Sequence, residues 1–388
     1  MKYNFDQIIS RKNTNSFKYD YAREMGQPEE AIPMWVADMD FQVPAEITSR
    51  LEELIEHGIY GYSVAKDDYF EAVRGWFKDN FDFEVKPEWL VKTPGVVFAL
   101  ATAVRGLTEP GDRILIQEPV YGPFAKKVLA NDRVLVVNEL VLENGRYRVD
   151  LEDFARKIKD NQVKMFILCS PHNPVGRVWS PEELRAMGRI CVENGCLVVS
   201  DEIHCDFARQ GHRHHFFAAL DPEFEDISVT CTAPSKTFNI AGLQTSNIFI
   251  PNPELKKAFV REKERCGAED PTILGLAACQ AAYRHGRDWL SQLKDYLESN
   301  LDYLRGFLAQ NIPQVKMIEP EGTYLVWLDF RELGIEPEKL NKYLSEKAGV
   351  WFDDGLKFGP SGGGFQRLNL ACPRPTLDEA LKRLKDRL

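Results

Sequence analysis

The chain has 388 residues, of which 44% are hydrophobic and 28% are charged, which suits a globular protein with a large core and a smaller second domain. Its 49 basic and 59 acidic residues give a net charge of −10, which argues against nucleic acid as a partner. No apolar stretch reaches the roughly 18 residues of a membrane span, and the first residues lack a signal-peptide pattern. We therefore expect a cytoplasmic protein without membrane contact, whose eight cysteines are reduced and mostly buried.

The N-terminal segment is predicted to be an arm. Residues 1–30 are polar and weakly periodic, whereas residues 32–41 place apolar side chains around two acids. This pattern alone favours an arm that is buried against the rest of the chain. A helix is predicted next over residues 45–57, and Gly58 ends it.

A strand, a tight turn and a helix are predicted over residues 89–106. The free amides and the positive dipole end at a helix N-terminus form an anion site. The backbone of Gly95, Val96 and Val97 is therefore a candidate phosphate site. A glycine before a helix is common, so this turn alone is weak evidence for such a site.

Four later apolar runs are each followed by a polar side chain that could bind a ligand or take part in catalysis. In chain order, the runs and side chains are 113–117 with Tyr121, 163–169 with Asn173, 195–200 with Asp201, and 227–231 with Lys236. The carboxyl ends of parallel strands meet at one edge of an open α/β sheet, where ligands bind. One lysine after a strand is more often a solvated turn residue, but its combination with an upstream carboxylate and amide favours a reactive group.

The combination of a lysine, a carboxylate and an amide suits pyridoxal 5′-phosphate. A lysine amine can form a Schiff base with an aldehyde, a carboxylate can pair with the pyridine nitrogen, and a neutral donor can contact the ring oxygen. With these residues the chain resembles the fold-type I pyridoxal-phosphate enzymes, the aspartate aminotransferase superfamily, over nearly its whole length. The segment P-M-W-V-A-D-M-D-F at 33–41 resembles one subgroup closely, the MalY/PatB-type carbon–sulfur β-lyases, in which it borders the substrate pocket.

The resemblance implies an α/β fold with a large domain, in which helices flank a mostly parallel seven-stranded sheet, and a smaller α/β domain. We expect residues 1–45 to form the arm and part of the small domain, residues 46–287 the large cofactor-binding domain, and residues 288–388 the small C-terminal domain. The further predicted helices and strands after Lys236 are helices 253–266, 273–285, 288–310, 337–347 and 377–388, and strands 315–318, 323–330 and 365–371.

The resemblance also implies roles for individual residues. Lys236 would carry the cofactor and act as general base, Asp201 would keep the pyridine nitrogen protonated, and Arg367 would bind the substrate α-carboxylate. The other implied contacts are Asn173 and His204 at the ring oxygen, Tyr121 stacked on the ring and facing the substrate, Gly95, Val96, Val97 and Ser235 at the phosphate, and Tyr62 at the phosphate of a neighbouring subunit.

Two alternatives stay open among these positions. Arg374 competes with Arg367 for the carboxylate, and we interpret Arg374 as structural. Tyr60 competes with Tyr62 for the contact between subunits, which would make the protein a homodimer with shared active sites. Either tyrosine could instead be part of a turn packed on the core.

Two positions depart from the pattern of the wider superfamily. His204 replaces a tyrosine at the ring oxygen, and Gln244 replaces an arginine that contacts the phosphate in many aminotransferases. We therefore expect the phosphate to rely on neutral donors, including the hydroxyls of Ser235 and Thr237 and the helix amides, to which Thr232 could add a further hydroxyl.

The histidine-rich loop at residues 211–215 contains an H-x-H pattern that can bind metal. It has no matching cysteine or aspartate partners at suitable spacing. We expect no metal site and interpret the segment as an exposed loop.

The predicted reaction is β-elimination on cysteine S-conjugates such as cystathionine, with a thiol such as homocysteine, pyruvate and ammonia as products. A thiolate leaves easily because the pKa of a thiol is only about 8.5. The lyase assignment rests on the resemblance, since transamination of an amino acid would use the same residues. A cofactor-binding scaffold without activity is a third, less favoured hypothesis.

Overall fold

The computed structural model describes residues 2–388. Its strands are β1 (Ile32–Pro33), β2 (Leu90–Thr93), β3 (Arg113–Glu118), β4 (Val134–Glu139), β5 (Val141–Glu143), β6 (Arg146–Arg148), β7 (Met165–Cys169), β8 (Leu197–Asp201), β9 (Ser228–Thr232), β10 (Ser246–Phe249), β11 (Lys316–Ile318), β12 (Leu325–Asp329), β13 (Val350–Trp351), β14 (Asp353–Asp354) and β15 (Phe365–Asn369). Its α-helices are α1 (Ala45–His57), α2 (Asp67–Phe81), α3 (Val96–Leu107), α4 (Pro123–Leu129), α5 (Leu151–Asp160), α6 (Pro181–Glu193), α7 (Pro222–Ile227), α8 (Pro234–Thr237), α9 (Pro253–Arg265), α10 (Ile273–His285), α11 (Arg287–Asn311), α12 (Pro337–Lys347) and α13 (Arg374–Lys385). None of the helices within residues 2–388 is long and apolar enough to cross a membrane.

The large sheet has seven strands in the order β2, β10, β9, β8, β7, β3, β4. Strand β10 is antiparallel to both of its neighbours, and every other adjacent pair is parallel. All five residues of β7 and of β9 are buried, as expected for strands covered by helices on both faces. The predicted mostly parallel seven-stranded sheet is therefore confirmed.

The prediction missed strand β10, which begins with two polar residues. The Ser246 hydroxyl lies 2.6 Å from the Thr93 hydroxyl, and Asn247 accepts a hydrogen bond from Tyr69 at 2.8 Å. Both polar side chains are fully buried, and these bonds offset the cost of their desolvation. A pattern of apolar residues could not reveal a strand whose polar groups find partners on distant segments.

Helix α2 was also missed, although it buries one of the aromatic centres of the main core. Trp76 stacks on Tyr283 with ring centroids 5.4 Å apart, and its indole donates to Asp206 at 3.1 Å. The neighbouring Phe77 is buried among further aromatic rings. Stacked aromatic pairs add about 0.5–1.5 kcal/mol beyond burial of their area, so packing outweighs the modest helix propensity of these residues.

The second sheet has four antiparallel strands in the order β11, β12, β15, β14. The N-terminal arm adds β1 in parallel beside β13, where Ile32 pairs with Val350. The arm therefore packs on the same part of the chain as the C-terminal elements. The exact division at residues 45 and 287 stays a prediction.

Candidate active site

A cavity of about 520 Å³ lies beyond the carboxyl ends of β7, β8 and β9. Its lining includes every predicted site residue except Tyr62, namely Gly95, Val96, Val97, Tyr121, Asn173, Asp201, His204, Ser235, Lys236 and Arg367. Three separate parts of the chain meet here, because the arm contributes Trp35 and Ala37 and strand β15 contributes Arg367. The cavity thus brings the charged side chains of Asp201, Lys236 and Arg367 together with the start of helix α3.

Lys236 lies in the short helix α8, directly after strand β9. Its amine donates a hydrogen bond of 2.6 Å to the carbonyl oxygen of Ala37. Burial lowers the pKa of Lys236 from 10.5 to about 8, with Asp38 opposing this shift and the positive charge of Arg367 adding to it. A much larger fraction of the amine than in an ordinary lysine is therefore neutral near neutral pH and able to act as a nucleophile or base.

Asp201 ends strand β8 and is buried. One carboxylate oxygen accepts a hydrogen bond of 3.2 Å from the backbone amide of Ile203. Burial raises the pKa of Asp201 from 3.8 to about 7, against the lowering effect of Lys236. A buried carboxyl of this kind is stabilised as an anion when a cationic ring nitrogen binds beside it.

Arg367 lies in β15, where its guanidinium is buried and held from three sides. Nη1 donates to Asn173 Oδ1 at 2.9 Å, and Nη2 donates to Trp35 O at 2.9 Å and to Asp353 Oδ2 at 2.7 Å. Nε is buried and has no hydrogen-bond acceptor within residues 2–388. An unsatisfied buried donor costs about 1–3 kcal/mol, which a bound carboxylate would relieve.

The competing arginine, Arg374, does not line the cavity. Its Nε donates to Asn300 at 2.7 Å, and its guanidinium lies 4.6 Å from the centroid of the Tyr303 ring. These contacts join the start of α13 to α11. They are the contacts of a residue that connects two helices.

His204 is buried beside the cavity, with its ring 5.8 Å from that of Tyr324 in an edge-on arrangement. Its Nδ1 atom has no hydrogen-bond partner within residues 2–388. Burial and the positive charges of Lys236 and Arg367 keep the pKa of His204 well below 6.5. The imidazole is therefore neutral and carries one N–H that can donate to a ligand oxygen.

The phosphate end of the cavity is formed by the start of α3. Gly95 precedes the helix, and apart from Gly95 and its two chain neighbours no residue within 2–388 has an atom within 4 Å of the point where a Cβ atom on Gly95 would stand. Ser235, Gln244 and Thr245 line the same cavity. The helix amides and these neutral side chains can surround an anion, but within residues 2–388 no arginine or lysine other than Lys236 and Arg367 lines the cavity.

Two predicted hydroxyl donors are turned away from the cavity. Thr237 donates to Asp206 at 2.6 Å, and Thr232 donates to the backbone oxygen of Asn247 at 2.7 Å. The prediction that Thr237 contacts the phosphate is therefore wrong. Both hydroxyls are buried, so an internal acceptor fixes their direction.

The aminotransferase class I and II family model matches residues 38–384, which is most of the chain. The chain belongs to the class I and II aminotransferase family. Within this family it resembles cystathionine β-lyase PatB of Bacillus subtilis, with 44% identity over 98% of this chain and 99% of that protein. This degree of identity over both full lengths places the chain in the MalY/PatB-type group of carbon–sulfur lyases.

Two solved structures are similar to this protein along nearly the whole of its chain. A pyridoxal-phosphate-bound putative aminotransferase from Clostridium difficile superimposes with a TM-score of 0.97 at 42% identity, covering 99% of both chains. Cystalysin from Treponema denticola, which contains pyridoxal 5′-phosphate, superimposes with a TM-score of 0.96 at 37% identity and covers 100% of this chain and 98% of its own.

The cavity of this family member fits pyridoxal phosphate on its own geometry. The buried carboxyl of Asp201 suits the ring nitrogen, and His204 Nδ1 has no hydrogen-bond partner among the described residues 2–388. Open space at Gly95 leaves the amides of α3 accessible to a phosphate. Lys236 supplies the only lysine amine in the cavity lining of residues 2–388.

Several residues of this aminotransferase-family site escaped the sequence analysis. Asp353 lines the cavity and forms an ion pair of 2.7 Å with Arg367. Phe17, Trp35 and Phe98 supply aromatic walls. Trp35 lies in the segment 33–41 that was predicted to border the pocket, but no motif marked Phe17, Phe98 or Asp353, although the acidic pair at 353–354 follows an apolar run.

The expectation that the histidine-rich loop is exposed is wrong at His214. His212 is exposed, but His214 is buried and its Nε2 atom lies 2.6 Å from Glu202 Oε2. The Glu202 carboxylate is fully buried next to Asp201, and it requires a polar partner to offset desolvation. The histidine therefore turns inward.

The pH dependence of covalent attachment tests the environment of Lys236. We expect the rate at which cofactor-free protein bonds to added pyridoxal phosphate to rise with pH and to level off above about 8, because only the neutral amine attacks an aldehyde. Stopped-flow absorbance with borohydride trapping and peptide mapping measures this rate. A rate that keeps rising toward the ordinary lysine pKa near 10.4 would contradict the lowered pKa.

Proposed function

We propose that the protein is a pyridoxal-phosphate-dependent carbon–sulfur β-lyase that acts on cysteine S-conjugates such as cystathionine. The products are a thiol, which is homocysteine in the case of cystathionine, together with pyruvate and ammonia. The observation that carries this proposal is the 44% identity to cystathionine β-lyase PatB over nearly the whole of both chains. The convergence of Lys236, Asp201 and Arg367 in one cavity supports it.

Asp201, Lys236, Asn173 and His204 would hold the cofactor ring, and the amides at the start of α3 with Ser235 would hold its phosphate. When bound, pyridoxal phosphate provides an aldehyde that bonds to amines and a ring that accepts electrons from the substrate Cα. The carboxylate of Asp201 would hold a proton on the ring nitrogen and so favour this electron flow. Tyr121, which also lines the cavity, would cover the ring face.

The substrate would be oriented by Arg367 and deprotonated by Lys236. The guanidinium binds the α-carboxylate, and the neutral amine of Lys236 takes the proton from Cα as general base. The bond between Cβ and sulfur then breaks, and the sulfur leaves with the electron pair as a thiolate, which takes up a proton. Water hydrolyses the remaining three-carbon fragment to pyruvate and ammonia.

Product analysis distinguishes elimination from transamination. We expect purified protein loaded with pyridoxal phosphate to release equal amounts of pyruvate and homocysteine from cystathionine without any keto acid. Lactate dehydrogenase with NADH measures the pyruvate, and a thiol reagent measures the homocysteine. Turnover that required an added keto acid, with no thiol released, would replace the lyase proposal with an aminotransferase.

We also propose that the protein is a homodimer whose active sites contain Tyr62 from the neighbouring subunit. Tyr62 is fully exposed and lies on a segment without regular secondary structure, together with exposed Ile59, Tyr60 and Val64. Clustered exposed apolar side chains are typical of protein interfaces. A cytoplasmic location is part of the same proposal, since free cysteines suit a reducing compartment.

Mixed dimers test whether the sites are shared. We expect the Tyr62→Ala and Lys236→Ala variants to be impaired separately, and an equal refolded mixture to regain about a quarter of the wild-type activity, because each mixed dimer contains one site free of both changes. The activity of the mixture is compared with that of each variant refolded alone. A mixture no more active than the sum of its components would contradict a shared site.

A further inference from the structure

Residues 34–41 of the N-terminal arm form a strap across the active-site cavity, which we call the arm strap. Trp35, Val36 and Ala37 line the cavity, and the strap continues through Asp38 toward the core. The carbonyl oxygen of Ala37 accepts hydrogen bonds from Lys236 at 2.6 Å and from the Tyr324 hydroxyl at 3.0 Å. A carbonyl oxygen has two lone pairs, so these two donors satisfy it completely.

Asn369 holds the arm strap from the side of β15. Its amide nitrogen donates to the carbonyl oxygens of Val36 and Asp38, both at 2.6 Å, on either side of Ala37. Its Oδ1 atom accepts from the amide of Ala371 at 2.8 Å, which fixes the orientation of the side chain. Asn369 is fully buried, and its bond from the Ala371 amide is buried with it, whereas the two bonds to the arm strap are partly buried.

Arg367 and Asn369 are two residues apart on β15 and therefore lie on the same face of the strand. Arg367 donates a hydrogen bond of 2.9 Å to the carbonyl oxygen of Trp35. Trp35 directly precedes Val36, whose carbonyl is bound by Asn369. One face of β15 thus holds both the proposed carboxylate-binding group and the backbone that receives the Lys236 amine.

Asn239 holds the other end of the arm strap from the loop after Lys236. Its Oδ1 atom accepts from the amide of Met39 at 2.9 Å, and its amide nitrogen donates to the carbonyls of Met39 and Phe41 at 3.0 and 2.9 Å. Lys236 and the strap are therefore tied together twice, through Ala37 and through Asn239. The partly buried ion pair between Arg11 and Asp38, 2.6 Å long, adds a third restraint.

We propose that the Ala37 carbonyl is the acceptor that holds the Lys236 amine during proton transfer, and that Asn369 and Asn239 are positioning residues that fix this carbonyl. The inference deepens the proposed function and rests on it. A neutral amine that donates one N–H to a fixed carbonyl has its lone pair directed elsewhere, which restricts the base to one approach toward the substrate Cα. A misplacement of about 1 Å in such a group can cost about 100-fold in rate.

Asn300 provides a matched control. It is also fully buried, and its amide nitrogen donates to two backbone carbonyls, those of Leu370 at 3.1 Å and Cys372 at 3.0 Å. Its contacts lie beside the end of β15 but do not involve the arm strap. Each asparagine also accepts one hydrogen bond through Oδ1, from the Ala371 amide to Asn369 and from Arg374 Nε to Asn300. Replacing either residue with alanine therefore removes two amide-to-carbonyl bonds and one accepted bond, and only the carbonyls bound by Asn369 flank Ala37.

The experiment measures exchange of the α-proton of L-alanine in D2O by proton NMR, on cofactor-loaded wild-type, Asn369→Ala and Asn300→Ala proteins. Alanine has no β-leaving group, so the exchange reports proton transfer by Lys236 whether the enzyme is a lyase or an aminotransferase. Amide hydrogen exchange of the peptide covering residues 34–41 measures the arm strap directly in the same proteins.

We expect Asn369→Ala to increase amide exchange in the arm strap and to slow α-proton exchange about 10- to 100-fold relative to Asn300→Ala. A looser strap with α-proton exchange within about twofold of the Asn300→Ala value would overturn the proposal. An unchanged strap would equally overturn the role of Asn369. If Asn369→Ala does not fold, Asn239→Ala is measured in its place with the same expected pair of changes and the same criteria.

Discussion

Replacing Lys236 with alanine is expected to reduce turnover of cystathionine at least about 10³-fold and to abolish covalent attachment of the cofactor. The change removes the nucleophile that bonds to pyridoxal phosphate and the proposed general base, and loss of acid–base catalysis alone costs about 10²–10⁴-fold. Pyruvate release measures the turnover, and borohydride reduction followed by mass spectrometry measures attachment.

Lys92 is a suitable control for this change. It lies on β2 of the same sheet and forms an ion pair of 2.9 Å with Asp270, but it does not line the cavity. The Lys92→Ala variant is expected to retain attachment and turnover close to those of the wild type. Equal losses in both variants, or cofactor attached to a different lysine in Lys236→Ala, would exclude the role assigned to Lys236.

Replacing Asp201 with asparagine is expected to lower kcat/KM about 10²–10³-fold while the cavity keeps its shape. Asparagine matches aspartate in size but cannot carry the negative charge that stabilises a protonated ring nitrogen, and loss of one preorganised electrostatic contact costs a factor of this size. Turnover and the visible spectrum of the bound cofactor across pH measure the change. We expect the spectrum of the variant to show a less readily protonated ring.

Asp206 provides the control for Asp201. Burial raises the pKa of its carboxyl as well, but it accepts hydrogen bonds from Trp76 and Thr237 and does not line the cavity. The Asp206→Asn variant is expected to lower thermal stability rather than to change the cofactor spectrum. A spectral change in Asp206→Asn as large as that in Asp201→Asn would show that the effect is not specific to the ring contact.

Some of the site residues could be predicted from the sequence because their position follows from a local rule, whereas the roles of Arg367 and His204 came from the family resemblance. Asn173, Asp201 and Lys236 each come after an apolar run, and parallel strands bring such ends to one edge of a sheet, where all three line the cavity. The helix that begins at Val96 could be placed from the preceding glycine in the same way. A local pattern was sufficient because neighbouring parallel strands bring the residues that follow them to the same edge of the sheet.

Features that depend on distant partners could not be predicted in this way. The direction of the Thr237 hydroxyl is set by Asp206, and the burial of His214 is set by Glu202, and neither pair forms a sequence motif. Ala37 became significant only when its carbonyl was found beside the Lys236 amine, 199 residues away. Backbone acceptors carry no side-chain signal, so a search of residue types passes over them.

The accessibility of the thiols determines how the protein can be labelled. Seven of the eight cysteines are buried, and Cys266, near the end of α9, is exposed. A maleimide reagent should therefore attach one dye to each folded chain without altering the cavity. Mixing donor-labelled and acceptor-labelled batches would then measure the exchange of chains between assemblies by energy transfer. The thiol released by the proposed reaction would also meet only one accessible cysteine per chain with which it could react.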